Sequence, residues 1–105
     1  MDLFRLEIIT KIERNQAITI VKDMISSSGG WILDHHLFSN ASASLGFEIP
    51  YSSISSFMTG LQDGGLNPTI VNDCPRDKDG EVRGGVALIF IHNEPDMKRD
   101  VPPFG

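Results

Sequence analysis

Cysteine is nearly missing from this chain: Cys74 stands alone among 105 residues. No disulfide can close within the chain, which excludes the small secreted folds that depend on disulfide staples. Activating a lone thiol takes a neighbouring cation or a helix N-terminus. Only Arg76 hints at such a neighbour, so an inert thiol is the expectation. Positive charge is scarce too. Nine Lys and Arg face fourteen Asp and Glu, for a net charge of −5, and a surface of that sign repels phosphate backbones, so nucleic acid is not an expected partner. Long apolar runs are absent: Gly85 to Ile91 falls far short of the roughly 20 residues that span a bilayer. The opening Met1-Asp2-Leu3-Phe4-Arg5 does not begin a charged region, apolar stretch and cleavage site in the order of a secretory leader. The expectation is a soluble, cytoplasmic protein with no membrane partner.

Motifs that carry chemistry are also lacking. The glycine pairs Gly29-Gly30 and Gly64-Gly65 are not spaced as a dinucleotide fingerprint, and no phosphate-loop lysine and hydroxyl follow them. Asp77-Lys78-Asp79-Gly80-Glu81 has the look of a calcium loop. Its register, however, puts Pro75 and Val86 where that loop needs Asp and a bidentate Glu. Asp79-Gly80 reads better as a hairpin turn. The serines around Ser52, Ser53, Ser55 and Ser56 have no histidine at a telling spacing. His35 and His36 are adjacent on a strand and point to opposite faces, so they cannot share one metal ion without a bulge. Asp34 and His36 share a face and form the better pair for proton transfer or ligand binding. No catalytic residue, metal or cofactor is expected.

What is present is a repeated grammar of strand, helix, glycine pair and strand. Phe4, Leu6 and Ile8 alternate with Arg5 and Glu7 in a strand that ends near Thr10. Asn15 is placed to cap a helix whose Ala17, Ile18, Val21, Met24 and Ile25 make one apolar stripe. Gly29 or Gly30 ends it. Trp31 to Ser39 is a strand bulky on both faces, expected to be covered on both sides. Leu45, Phe47 and Ile49 then alternate in a third strand that pairs with it as a hairpin and stops at Pro50. Ser52 or Ser53 is placed to cap a second helix with Ile54, Phe57, Met58 and Leu61 on one side. Gly64-Gly65 closes that helix, and Leu66 to Val71 follows as a short strand in which Pro68 points to an edge. Residues 72–84 read as a polar loop, and Gly85 to His92 as an added fifth strand. Residues 1–92 form the single expected domain, and residues 93–105, with Pro95, Pro102 and Pro103, an irregular tail. The fold class is α+β: a βαββαβ antiparallel sheet with two helices on one face and an additional C-terminal strand.

From Asn15-Gln16-Ala17-Ile18 through Gly29-Gly30 to Trp31-Ile32-Leu33-Asp34, the chain resembles the start of an ACT-like domain, a ferredoxin-like regulatory module that binds amino acids and related metabolites. Order and spacing fit from Phe4 to Val71. The resemblance implies a ligand site between the loop that opens the first helix and the start of the second strand. It would use Asn15, Gln16, Leu33, Asp34 and His36. Gln16 stands where the family carries a loop glycine, and its side chain enters the space a ligand carboxylate would take. Free amides and the positive dipole end of the first helix favour a carboxylate-bearing metabolite there.

Small size gives a second expectation. A chain of 105 residues buries a modest core, and its surplus of apolar strand residues favours a homodimer or a multiple of dimers. Two other readings compete with a self-associating regulatory module. One is a small dimeric ferredoxin-like enzyme with Asp34, His36 or His92 in a cavity. The other is a protein-interaction domain without a ligand.

Overall fold

The computed structural model describes residues 4–73 and 80–91; Cys74, the calcium-like segment up to Asp79, His92 and the proline-containing tail lie outside the described residues. The architecture is α+β, a five-stranded mixed sheet with two helices.

Strand β1 (Phe4–Thr10) buries Phe4, Leu6, Ile8 and Thr10 and turns Arg5, Glu7 and Ile9 the other way, as its period of two dictates. Helix α1 (Arg14–Ser27) buries Ala17, Ile18, Val21 and Ile25. Its cap is Glu13, not Asn15: the Glu13 carboxylate accepts from the backbone amides of Asn15 at 3.0 Å and Gln16 at 3.1 Å. Gly29, at φ 83°, takes the left-handed conformation that ends the helix. Gly30 lets the chain pass tightly over β3, since a Cβ there would collide with the Ile49 side chain and the Glu48 carbonyl.

Strands β2 (Trp31–Ser39) and β3 (Ser42–Pro50) form the hairpin. A 3-10 turn over Tyr51–Ser53 leads into α2 (Ile54–Asp63), which buries Phe57 and Leu61. Ser53 sits at the cap position but its side chain makes no capping hydrogen bond. Strand β4 is only Thr69–Asn72 and starts three residues later than expected, beyond Pro68; β5 runs Glu81–Phe90, so it begins four residues before Gly85 and stops short of His92.

The strand order is β2-β3-β5-β1-β4. The expected wholly antiparallel sheet is therefore corrected: β5 lies between β3 and β1, antiparallel to the first and parallel to the second. Strands β4 and β5 each pair with β1 and not with each other, so no hairpin joins these two strands; Asp79 of the expected turn lies outside the described residues. Gly84 makes the central position workable. A Cβ on it would lie 2.7 Å from the Phe4 carbonyl and 2.9 Å from the Phe47 ring.

One face of the sheet is dry. Leu6 pairs with Val86 and Val86 with Leu45, and all three belong to a single buried cluster with the apolar stripes of α1 and α2. The Phe57 ring of α2 lies 5.2 Å from that of Phe47, and the Met24 thioether of α1 packs over Gly60 of α2. The opposite face is open. Strand β2 departs most from expectation: every residue from Trp31 to Ser39 is exposed, so the strand is covered on neither side. It is the sheet edge beyond the reach of both helices' buried stripes.

Candidate functional site

The backbone register aligns side chains in rows across the open face. One row runs Asp34, Gly46, Gly85, Arg5 and Asn72, from β2 through β3, β5 and β1 to β4. The next runs His36, Ser44, Ala87, Glu7 and Thr69. On the other side Trp31 pairs with Glu48 and Glu48 with Arg83. Two glycines side by side in the first row remove the bulk that would otherwise fill the middle of the sheet. The result is a shallow trough of ≈ 450 Å³ walled by Arg5, Glu7, Leu33, Asp34, Val71 and Arg83.

Each wall has a local cause. A register shift between Ile32 and Asp34 bulges β2 at Leu33, which re-aims the strand and brings both Leu33 and Asp34 to the trough. Asp34 then folds over Gly46, whose amide donates to its Oδ1 at 3.0 Å. A Cβ on Gly46 would sit 2.7 Å from that oxygen, so the carboxylate occupies the space a side chain would take. Above Gly85 nothing intrudes closer than 3.8 Å. Arg83 holds Glu48 through Nε at 3.3 Å and Nη2 at 3.2 Å, an exposed pair of small energetic weight.

Of the residues expected to share one site, Leu33 and Asp34 line the trough. His36 lies on the same face one row further on, its ring stacked with that of Phe38 at 6.2 Å. Asn15 and Gln16 are elsewhere. They follow Thr10 at the far end of β1, whereas Asp34 is level with Arg5 near its start, and α1 packs on the opposite face. Within one chain the single pocket of the sequence reading does not form. The anion-attracting amides of Asn15 and Gln16 are also already taken by Glu13, whose carboxyl is held below the ordinary glutamate range, chiefly by the Asn15 amide and then by that of Gln16.

Arg5, Glu7, Gly46, Gly85 and Arg83 were not legible as site residues. Arg5 and Glu7 read as ordinary solvent-facing positions of an alternating strand. The juxtaposition of Gly46 with Gly85 depends on strand order, which no local pattern carries.

Ser44 is the direct cross-strand neighbour of His36, but no hydrogen bond joins His36 to Ser44 or to Asp34 among the described residues, and Asp34 and His36 are both exposed. No group of three or more His, Cys, Asp and Glu able to hold a metal comes together among the described residues. Nor is any helix among them long and apolar enough to cross a membrane. No known protein family, curated protein or solved structure matches the chain.

Proposed function

We propose that this chain is a non-catalytic, self-associating module with the plan of a ferredoxin-like domain, building a homodimer or an assembly of dimers in a regulatory role. One observation carries it. The edge strand β2 presents Trp31, Ile32, Leu33, Leu37 and Phe38 to solvent, from 36% exposed at Ile32 to 68% at Phe38. Among the described residues its outer row of backbone groups has no strand partner. Long, apolar, uncovered edges are a liability that proteins bury by pairing. The ferredoxin-like plan is supported by the order of the other four strands, β2-β3-β1-β4, once the inserted β5 is set aside.

The small metabolite of the ACT-like expectation belongs in the trough and not at α1. The trough borders β2 through Leu33 and Asp34, has the volume of a small-ligand site, and offers the Arg5 guanidinium, which has no partner among the described residues. Light scattering at micromolar concentration tests association. The expected mass is twice the chain's 11.6 kDa or a multiple of it, and a stable monomer overturns the reading. A thermal-shift screen of small carboxylic acids tests the ligand. A hit should be lost on Arg5→Ala and kept on Asn15→Ala.

A further inference from the structure

We infer that two copies of this chain join edge to edge through β2, antiparallel about a two-fold axis at His35, so that Asp34 of each meets the partner's His36. This deepens the association reading and rests on it. Four observations lead there.

The first concerns which side of β2 needs covering. Trp31, Asp34, His36 and Phe38 face the open side, since Trp31 and His36 pair with the outward Glu48 and Ser44 and Phe38 stacks on His36. Ile32, His35 and Leu37 face the helix side, opposite Phe47, Leu45 and Ala43. Apolar groups therefore stand on both faces. A partner docked on one face would leave the other wet, whereas a strand added at the edge shields both at once.

Charge selects the register. Directly opposed residues of an antiparallel pair lie on the same face, so only registers that match face to face are allowed. Moving the axis to Asp34 opposes two carboxylates. Moving it to His36 leaves each Asp34 against the partner's Phe38, with no imidazole opposite the carboxylate. With the axis at His35, the second Asp34 oxygen, not used by Gly46, is available to the partner's imidazole.

Self-complementarity points to a second copy and not to an unrelated strand. Read outward from His35 and past the irregularities at Leu33 and Phe38, Ile32 meets the partner's Leu37 and Trp31 falls level with the partner's Phe38-Ser39 step. Apolar groups thus meet apolar groups on both faces. A strand selected to bind a different sequence has no reason to match its own reversal.

Area is the last observation. Aromatic side chains carry roughly 150–250 Å² each. At the exposures of these residues, one strand offers on the order of 500 Å² of apolar surface, so two approach the roughly 1,200 Å² at which specific interfaces begin. In the resulting assembly both sheets become continuous, all helices lie on one side, and the two troughs flank the seam through Leu33 and Asp34.

Cysteine crosslinking of the full chain in a Cys74→Ser background tests the register. His35→Cys lies on the axis, where opposed Cα atoms are about 4.5–5.5 Å apart, within the span a disulfide bridges. It should run almost wholly as a disulfide-linked dimer after mild oxidation. Trp31→Cys and Phe38→Cys should each stay uncrosslinked alone and crosslink when mixed, and circular dichroism confirms that each variant keeps its fold. A dimer by light scattering in which neither His35→Cys nor the mixed pair crosslinks overturns this interface while leaving association intact. A monomer by light scattering removes both.

Discussion

Glu13 shows how one residue can close a site that its neighbours advertise. Asn15 and Gln16 present their amides at the N-terminus of α1, where an anion is favoured, but the anion is the chain's own carboxylate, 3.0 and 3.1 Å away. Its pKa is lowered on folding, chiefly by the hydrogen bond from the Asn15 amide. The stabilisation it brings is thus complete above the ordinary glutamate value and lost as pH falls through the lower folded one. Glu13→Ala should flatten the acid limb of stability against pH, the two proteins converging once the carboxyl is protonated. Parallel urea-denaturation curves across that range would refute the cap. In the core, Phe57 is fully buried against Phe47, so Phe57→Ala should cost about 3–5 kcal/mol. A loss below about 1 kcal/mol, the scale of an average substitution, would mean the ring is not where it is drawn. Gly46→Ala should act locally, pushing the Asp34 carboxylate off its amide and reshaping the trough.

At the scale of elements, strand alternation and helix stripes were readable because each is set by residues a few positions apart. Phe4, Leu6 and Ile8 had to share a face, as did Phe57 and Leu61, and they do. Caps were less readable: Glu13 holds the capping position expected of Asn15 and accepts from the amides of Asn15 and Gln16, and both residues are plausible acceptors in the sequence. The misjudged element was β2. Its two-sided bulk resembles that of a fully covered strand, and nothing local distinguishes a strand buried in its own chain from one awaiting cover. Hydrogen exchange separates the two roles. Amides of Val86 and Leu88, in a strand paired on both sides, should exchange only with global unfolding. Outward amides of β2 should be slow in the associated protein and become fast on dilution to monomer. Fast exchange in β2 at every concentration would argue that its edge never pairs.

The whole molecule is closed by its last described strand. Before β5 is in place, β1 and β3 have no contact through hydrogen bonds, and the sheet exists only as two separate antiparallel pairs, β2-β3 and β1-β4. Strand β5 joins them, with Phe4 beside Gly84 and Thr10 beside Phe90 on one side and Ile49 beside Val82 on the other. These pairings link opposite ends of the chain, so their loop-closure entropy is paid late and folding should be slow for a protein of this length. Val82, Val86, Leu88 and Phe90 also supply the middle of the core, leaving α1 and α2 without a floor until they arrive. This makes β5 a switch between two incomplete halves and one cooperative domain. A fragment ending at Gly80 should therefore keep some helical signal, lack fixed aromatic packing by near-ultraviolet circular dichroism, and melt without a cooperative transition. A synthetic peptide covering Glu81–Ile91 should restore both when added in trans. If the fragment alone unfolds cooperatively, the two halves meet directly and the central placement of β5 is wrong. If the peptide binds but the melt stays broad, covalent linkage between β4 and β5 is needed to set the parallel register.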